Sequence, residues 1–368
     1  MNTEHPMTSR AWNFSAGPAV LPEPVLQQVR NDLWDIDSSG IGILEHSHRG
    51  KVFDRVIEEA EADCRKLANI PDNYRVLFLQ GGASTQFFQV PANLLPQDRT
   101  ADYLVTGTWA KKAVKEAALY GNPHTAASSE EENFSYIPKG NAIAFSDNPV
   151  YVHLTTNNTV VGTQYHALPA IPASAYLVAD ASSDIFSKPI NINDYALIYA
   201  GAQKNLGPAG TVLIIIREDL LETQPRQLPT MLRYATHAEK GSRYNTPPTF
   251  GIYLMGQVFK WILNQGGLPA VQQNNEHKAA IIYDVLDASN FYRPTARAED
   301  RSLMNITFRL PSEDLEKKFL AESLSHNMSG LKGHRSVGGI RASTYNALPI
   351  AACQALASLL QDFEKRNT

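Results

Sequence analysis

The chain has 368 residues, of which 43% are hydrophobic and 19% are charged, and its formal net charge is −4. This composition is ordinary for a globular protein and the length allows two domains, so disorder over most of the chain is excluded. The small negative charge argues against non-specific binding to nucleic acid or to anionic membranes. Any anionic ligand must therefore be held by a local cluster of cationic side chains.

The cysteines and the N-terminus indicate a reducing compartment. Only two cysteines occur, Cys64 and Cys353, on separate predicted helices, which favours neither a disulfide framework nor a zinc site. The first residues lack the basic and then apolar profile of a signal peptide, and no apolar run approaches the length that spans a bilayer. We therefore expect a cytoplasmic protein whose residues 1–10 form a loose tail.

Short apolar strands alternate with helical patterns along most of the chain. The predicted helices are 25–34, 52–68, 86–95, 110–120, 249–265 and 268–289. The predicted strands are 74–79, 102–107, 142–145, 151–155, 176–180, 195–200 and 211–216. This alternation predicts an α/β fold with a mostly parallel sheet, flanked by helices, whose ligand site lies at the carboxyl ends of the strands.

The C-terminal part changes character and predicts a second domain. Its predicted elements are a strand at 305–310, a helix at 312–325, a strand at 338–342 and a helix at 348–365. We expect a large α/β domain at residues 22–265. Residues 266–368, together with the N-terminal segment 11–21, would form a smaller α+β domain.

Two polar segments near the N-terminus are candidates for ligand contacts. Residues 13–19, Asn-Phe-Ser-Ala-Gly-Pro-Ala, are too rich in glycine and proline for a helix interior and predict a loop. Residues 45–51 contain His46 and His48. A histidine pair sometimes binds a metal, but without a cysteine or a third histidine nearby, anion binding or a plain surface role is favoured.

The segment Gly81-Gly82-Ala83-Ser84 follows a predicted strand and precedes a predicted helix. Such a turn aims free backbone N–H groups and the positive end of a helix at a phosphate. Glycine pairs also occur before helices for packing reasons, and this is neither a Walker loop nor a dinucleotide fingerprint. Trp109, at the next such junction, is either a core residue or a platform for a flat cofactor ring.

Asp180 and Lys204 each follow a predicted buried strand. An acid in this place is commonly a helix cap, but it can also be a buried carboxylate that pairs with a cationic ligand atom. Lys204 lies in a glycine-rich turn between two apolar runs. It is either a solvated turn residue or a partly desolvated amine, whose lowered pKa makes it a nucleophile toward carbonyl groups.

Taken together, these motifs resemble the phosphoserine aminotransferase family, a class V, fold-type I branch of the pyridoxal-phosphate enzymes. Eight ordered matches over nearly the whole chain carry the resemblance, where any one alone is weak. They are Asn13–Ala19, Ser47–Lys51, Gly81–Ser84, Asn157–Thr159, Asp180–Ser183, Ala202–Asn205, Asn245–Pro248 and Gly333–Gly339.

The resemblance implies pyridoxal 5′-phosphate as cofactor. Lys204 would form the Schiff base with it and later move the substrate's α-proton, and Asp180 would pair with the pyridine nitrogen. Trp109 would stack on the ring, and Thr159 would bind near its phenolic oxygen. The residues implied at the cofactor phosphate are Ala83, Ser84 and Gln203, with Asn245 and Thr246 from the second subunit of a homodimer.

The resemblance also implies the substrate contacts. Arg49, assisted by Ser15, would bind the α-carboxylate, because a guanidinium matches a carboxylate in bidentate geometry. The pocket for the substrate's phosphate would contain His48, and also His334 and Arg335 contributed by the second subunit of the dimer. Some members of the family carry an arginine where this chain has Ser84, so that corner lacks a side-chain charge here.

The activity that the resemblance implies is ping-pong transamination between L-glutamate and 3-phosphohydroxypyruvate in serine biosynthesis. Some bacterial members also act on a four-carbon phosphorylated analogue, 4-phosphohydroxythreonine, in pyridoxine biosynthesis. The nearest alternative is a class V aminotransferase for an unphosphorylated oxo acid, which needs no cationic phosphate pocket. A cysteine desulfurase, a cofactor-free Schiff-base aldolase and a non-catalytic binding protein are less favoured alternatives.

Overall fold

The computed structural model describes residues 10–368, so the predicted tail at residues 1–10 lies outside the described residues except for Arg10. The strands are β1 (Trp12–Asn13), β2 (Tyr74–Gln80), β3 (Thr100–Val105), β4 (Asn122–Ser128), β5 (Tyr151–Thr155), β6 (Tyr176–Asp180), β7 (Leu197–Gly201), β8 (Thr211–Arg217), β9 (Arg293–Pro294), β10 (Asn305–Arg309), β11 (Met328–Ser329) and β12 (Ile340–Ser343).

The helices are α1 (Glu23–Asp32), α2 (Lys51–Ala68), α3 (Ala83–Leu94), α4 (Thr108–Ala117), α5 (Tyr234–Glu239), α6 (Thr249–Asn264), α7 (Gly267–Asp287), α8 (Glu313–Ser325) and α9 (Ile350–Asn367). Within residues 10–368, none of these helices is both long and apolar enough to cross a bilayer.

A seven-stranded sheet organises the first two thirds of the chain, in the order β2-β8-β7-β6-β5-β3-β4. Strands β7, β6, β5, β3 and β4 run parallel to one another, whereas β8 is antiparallel to both of its neighbours, β7 and β2. This arrangement confirms the predicted α/β fold with a mostly parallel sheet. Helices cover both faces, which explains why the central strands read as continuous apolar runs rather than as alternating patterns.

One predicted strand is wrong. Residues 140–142 form a single 3₁₀ turn, and the chain from there to Phe145 is irregular. The strand that completes this edge of the sheet is β4, in which only Ala126 and Ala127 are buried. An edge strand with so little apolar surface gives no periodic signal in the sequence.

The apolar core has three parts. Two of them contain side chains from the seven-stranded sheet. The third is built from the C-terminal elements and includes Phe14 from the N-terminal segment. Helix α7 contributes Leu268 and Val271 to one of the sheet clusters, and Ile282 and Leu286 to the C-terminal cluster. The proposed domain boundary between residues 265 and 266 stays a prediction.

A buried network of polar rings lies on the face of the sheet that α3 and α4 cover. The His153 ring stacks on the Tyr103 ring with the centroids 5.0 Å apart, and His153 Nε2 lies 2.8 Å from the Tyr199 hydroxyl. The Tyr103 and Tyr151 hydroxyls are 2.7 Å apart. Because burial disfavours the imidazolium, the pKa of His153 is lowered to about 3.

We predict that His153 contributes to acid unfolding. Between an unfolded pKa of about 6.5 and the folded pKa of about 3, only the unfolded chain binds this proton. Stability is therefore retained above pH 6.5 and is lost as the pH falls, by about 1.4 kcal/mol per pH unit. In His153→Gln, the free energy of unfolding should fall less steeply over this range when measured by urea denaturation.

Leu154→Ala is the matched control, because Leu154 is fully buried on the same strand and carries no titratable group. It should lower the free energy of unfolding at every pH and keep the wild-type dependence on pH. An identical slope in wild type and His153→Gln would show that His153 takes up its proton in the folded state.

Candidate active site

Lys204 lies in the turn that joins β7 to β8. The backbone N–H groups of Leu206 and Gly207 both donate to the Ala202 carbonyl, at 3.1 and 2.8 Å, and Ala202 itself donates to Thr211. The turn is therefore fixed on both sides of the lysine. Burial lowers the pKa of Lys204, the negative charge of Asp180 opposes this shift, and the positive charge of Arg341 adds to it.

Asp180 ends β6 and is 4% exposed. One carboxylate oxygen accepts the Ser182 N–H at 3.0 Å. Burial raises the pKa of Asp180, while the Lys204 charge and the Ser182 hydrogen bonds oppose the shift. Asp180 is thus a buried acid that accepts a backbone N–H from the following turn, and its pairing with a cationic ligand atom stays a prediction.

Trp109 and Thr159 are brought together from two neighbouring strand ends. Trp109, in the first turn of α4, donates its indole N–H to the Thr159 hydroxyl at 3.0 Å. Thr159, in the loop after β5, is buried. Since its oxygen accepts from Trp109, the Thr159 O–H remains able to donate to a further acceptor.

The turn before α3 has the geometry of an anion site. Gly81 adopts a φ of +108°, and a Cβ placed there would lie 2.7 Å from Thr85, so a larger residue would distort the turn. The N–H groups of Ala83 and Ser84 begin the helix and have no acceptor within it. Together with the positive end of the helix, they fit a phosphate.

Three further predicted phosphate ligands lie on other segments, and two of them contact the residue before this turn. Gln203 is partly exposed and precedes Lys204. Asn245 and Thr246 are exposed, and both contact Gln80 of the same chain, at 3.2 Å through the Asn245 side chain and at 3.1 Å through the Thr246 carbonyl. Their predicted contribution to a second subunit stays a prediction.

The loop that carries Ser15 packs against the lysine turn. A Cβ added at Gly17 would lie 3.4 Å from Lys204 Cγ, and Ala19 N–H donates to the Gln203 carbonyl at 2.9 Å. The Ser15 N–H donates to the Asn13 side chain at 3.0 Å. The glycine-rich loop thus forms one wall beside Lys204.

His334 lies in the tight loop between β11 and β12. Its ring Nδ1 is 2.7 Å from the Ser336 hydroxyl, and burial lowers its pKa, with further lowering by Arg341, Arg335 and Lys112. The Lys112 amine in turn lies 4.5 Å from the centre of the Trp109 ring. Three cationic side chains therefore act on His334 in the same chain, of which Lys112 lies beside Trp109 and Arg335 is exposed.

His48 and Arg49 contact each other rather than the lysine turn. Arg49 Nε donates to His48 Nε2 at 3.3 Å, and the Arg49 side chain is exposed. The structure of a single chain thus presents this pair at the surface. Its predicted role in substrate binding stays a prediction.

Arg341 is the residue that sequence reasoning missed. It lies in β12, where its guanidinium donates to the Thr159 carbonyl at 2.9 Å, and its Nε is buried without a partner. Its positive charge acts on both Lys204 and His334. The one available signal was an arginine between Ile340 and Ala342, two apolar residues of a predicted strand, just after a glycine pair.

Comparisons with known proteins identify the family of this chain. The class-V aminotransferase family model matches residues 11–356. A phosphoserine aminotransferase from Lysinibacillus sphaericus is 53% identical over 362 residues, which are 98% of this chain and 100% of that protein. The chain belongs to the phosphoserine aminotransferase family.

Solved structures of phosphoserine aminotransferases have the same fold. The enzyme from Bacillus circulans subsp. alkalophilus is 50% identical, with a TM-score of 0.95 over 98% of this chain and 100% of that chain. The pyridoxal-phosphate-bound phosphoserine aminotransferase from Trichomonas vaginalis is 36% identical, with a TM-score of 0.92 over 96% of this chain and 100% of that chain.

We predict that Asp180→Asn lowers the pKa of Lys204 further, because the Asp180 charge is the largest influence that raises it. The pKa is read from the pH dependence of Lys204 labelling by an amine reagent, followed by mass spectrometry, in protein stripped of small molecules. Glu130→Gln, which removes a surface carboxylate paired with Lys111, is the control and should leave Lys204 labelling unchanged. A raised pKa in Asp180→Asn would contradict the coupling.

Proposed function

We propose that this protein catalyses reversible transfer of the amino group between L-glutamate and 3-phosphohydroxypyruvate, giving 2-oxoglutarate and O-phospho-L-serine. The observation that carries the proposal is the partly buried Lys204 near the buried Asp180, each of whose charges acts on the pKa of the other, in a chain whose relatives are phosphoserine aminotransferases. Both half-reactions would use the same site in turn, as ping-pong exchange requires.

The described residues fit pyridoxal 5′-phosphate. When bound, this cofactor supplies an aldehyde that accepts the amino group and a ring that withdraws electrons from the substrate's α-carbon. Asp180 would hold the proton on the ring nitrogen, Trp109 would pack on the ring face, and Thr159 would donate to the phenolic oxygen. The backbone N–H groups of Ala83 and Ser84 would hold the phosphate, with Gln203, Asn245 and Thr246 around it.

Lys204 would be both the nucleophile and the proton carrier. Its lowered pKa increases the fraction of free amine near neutral pH, which is the form that attacks a carbonyl and accepts a proton. The fixed turn between β7 and β8 would hold the amine at one place while it takes the proton from the substrate's α-carbon and delivers it to the cofactor's aldehyde carbon, on the other side of the transferred nitrogen.

We propose Arg341 as the ligand of the substrate's α-carboxylate. It is half-buried, its Nε has no partner, and its charge already acts on Lys204, so a carboxylate bound there would place the α-carbon near the amine. Arg49, predicted for this role, is exposed in a single chain. Arg49 would assist, together with Ser15, only where a second subunit brings Arg49 to the site.

His334 and Arg335 would bind the substrate's phosphate, together with His48. The supporting observation is that burial and the charges of Arg341, Arg335 and Lys112 lower the pKa of His334, and the field of these three cations favours a dianion over an uncharged group. The exposed Ser84 hydroxyl adds no charge to this field. An unphosphorylated oxo acid would leave the cluster without a partner, which is why we favour the phosphorylated substrate over the alternative class V activity.

We also propose that the active unit is a homodimer with composite sites. Four large apolar side chains are exposed within twelve residues, and Trp34 alone is 86% exposed; they are Leu33, Trp34, Ile41 and Leu44. A patch of this kind commonly marks a protein interface. It precedes His48 and Arg49 directly, so covering it with a second copy would bring that pair toward another chain.

Two finer assignments belong to the same proposal. The residues proposed for the substrate's phosphate would also accept the four-carbon analogue 4-phosphohydroxythreonine, since O-phospho-L-serine and this analogue both carry a phosphate and an α-amino acid group. The two cysteines, Cys64 and Cys353, are free and buried, which supports the cytoplasm as the compartment.

We predict that Arg335→Ala raises the KM for 3-phosphohydroxypyruvate far more than the KM for glutamate, because glutamate has no phosphate to lose. The loss should be about ten- to a hundredfold in kcat/KM, as expected for a hydrogen-bonded charge pair. Steady-state kinetics with each substrate varied in turn measures the two effects separately.

Arg341→Gln is the contrasting variant. It should lower kcat/KM for both substrates alike, since the α-carboxylate is common to them. Equal effects of Arg335→Ala on the two substrates would remove Arg335 from the phosphate site. If the wild-type protein used pyruvate or hydroxypyruvate as well as 3-phosphohydroxypyruvate, the substrate would be an unphosphorylated oxo acid instead.

We predict that two inactive variants restore activity when their chains are mixed. Lys204→Ala loses the amine, and Arg49→Ala loses a residue that we place across the dimer. A mixed dimer contains one site with both residues intact, so refolding the two chains together should restore roughly a quarter of the wild-type rate. No recovery in mixed dimers, verified by mass spectrometry, would place Arg49 and Lys204 in the same chain's site.

A further inference from the structure

Lys278 is a buried lysine that the proposed reaction does not use. It lies in the middle of α7 and is 1% exposed. Its amine donates to three consecutive backbone carbonyls, at 2.9 Å to Thr344, 2.7 Å to Tyr345 and 3.4 Å to Asn346. We call residues 344–346 the carbonyl turn.

The charge of Lys278 is stabilised by the dipoles of these carbonyls. Within residues 10–368, no carboxylate is among the groups that shift its pKa, and its one titratable neighbour is the Cys353 thiol. Burial lowers the pKa of Lys278 to about 8, so the ammonium form still predominates at pH 7. An ammonium has three N–H donors and no acceptor, which matches three carbonyl oxygens.

The carbonyl turn links the parts of the proposed site. It follows β12, the strand that carries Arg341. Its Asn346 N–H donates at 3.1 Å to Asn205, the residue after Lys204. Its Tyr345 hydroxyl donates at 2.8 Å to the Ala16 carbonyl, in the loop that carries Ser15.

A second contact from α7 supports the same turn. Asn275, almost one helical turn before Lys278, donates from its amide both to the Asn346 side chain at 2.8 Å and to the Ser187 carbonyl at 3.0 Å. The side-chain amide of Asn346 in turn donates to the Phe186 carbonyl at 2.9 Å. Helix α7 thus holds the carbonyl turn against the sheet at two points, and only one of these points carries a charge.

We infer that Lys278 is a positioning residue of the reaction, which fixes the Arg341 strand relative to the Lys204 turn through the carbonyl turn. This inference rests on the proposed function, because it assigns Arg341 and Lys204 to one substrate. Removing the ammonium leaves the buried Thr344 carbonyl without a donor and leaves the Tyr345 carbonyl with the Leu348 N–H alone, which frees the turn to move. A displacement of about 1 Å between a binding group and a reacting group is enough to cost on the order of a hundredfold in rate.

This role differs from that of an ordinary core residue in its kinetic signature. Loss of packing alone lowers the free energy of unfolding and leaves the folded site intact. Loss of positioning lowers kcat/KM in the folded protein, and by a similar factor for both substrates, because both present the same α-carboxylate to Arg341. Loss of a phosphate ligand affects one substrate only.

The test compares Lys278→Met with Ile282→Ala in the holoenzyme. Methionine keeps an unbranched side chain of similar length and removes all three donors. Ile282 is fully buried in the same helix and has no polar group, so its substitution destabilises without touching the hydrogen bonds of the turn. Lys278→Gln, which keeps two N–H donors, is the second variant and replaces Lys278→Met in every comparison if that protein does not fold.

Two readouts are required. We expect Lys278→Met to lower kcat/KM about ten- to a hundredfold for both glutamate and 3-phosphohydroxypyruvate, with a smaller loss in Lys278→Gln and little in Ile282→Ala. We also expect faster hydrogen exchange at the backbone N–H of Asn346 in Lys278→Met, measured by mass spectrometry or NMR. Hydrogen exchange does not require substrate. It therefore tests whether Lys278 holds the carbonyl turn in place even if the wild-type protein proves inactive on these substrates and the proposed function fails.

Three results would overturn the inference. The first is wild-type kcat/KM in a folded Lys278 variant. The second is a loss no larger than that of Ile282→Ala. The third is unchanged exchange at Asn346, which would show that the carbonyl turn keeps its place without the ammonium.

Discussion

The site depends on removing water from a lysine amine while keeping a carboxylate close to it. Burial alone would drive both Lys204 and Asp180 toward their neutral forms, and their mutual attraction opposes this in both residues. The balance leaves the amine more reactive than a surface lysine and the acid able to hold a proton on a cationic partner. Asp180 ends β6 and Lys204 lies in the turn after the neighbouring strand β7, so the paired strands bring the two groups to the same edge of the sheet.

The rest of the site is added to this pair from outside the sheet. The Thr159 carbonyl accepts a hydrogen bond from the Arg341 guanidinium at 2.9 Å, and the Thr159 hydroxyl accepts one from the Trp109 indole N–H at 3.0 Å. A single residue in the loop after β5 thus aligns a flat aromatic surface and a cation. Positive charge from the C-terminal elements lies on one side of this loop and the Lys204 amine on the other, so an anionic substrate attracted by the charge would be brought toward the amine.

Much of the sheet could be predicted because its buried strands are short, continuous and β-branched. Asp180, Lys204 and Trp109 were singled out because each follows such a strand, and the structure places each of them at a strand end. Arg341 could not be found in this way, because its contact with Thr159 spans 182 positions in the chain. Strand β4 was missed for a different reason, since an edge strand with two buried alanines has too little apolar surface to show a period.

Helix α7 has a consequence for how the molecule unfolds. Its first turns pack in a cluster of the large sheet and its last turns in the C-terminal cluster, so one rigid element of 21 residues belongs to both. Melting either cluster would leave half of the helix without its packing surface, and a helix of about ten residues is marginal alone in water. The two parts of the chain should therefore lose their structure in one cooperative transition, although each has a core of its own.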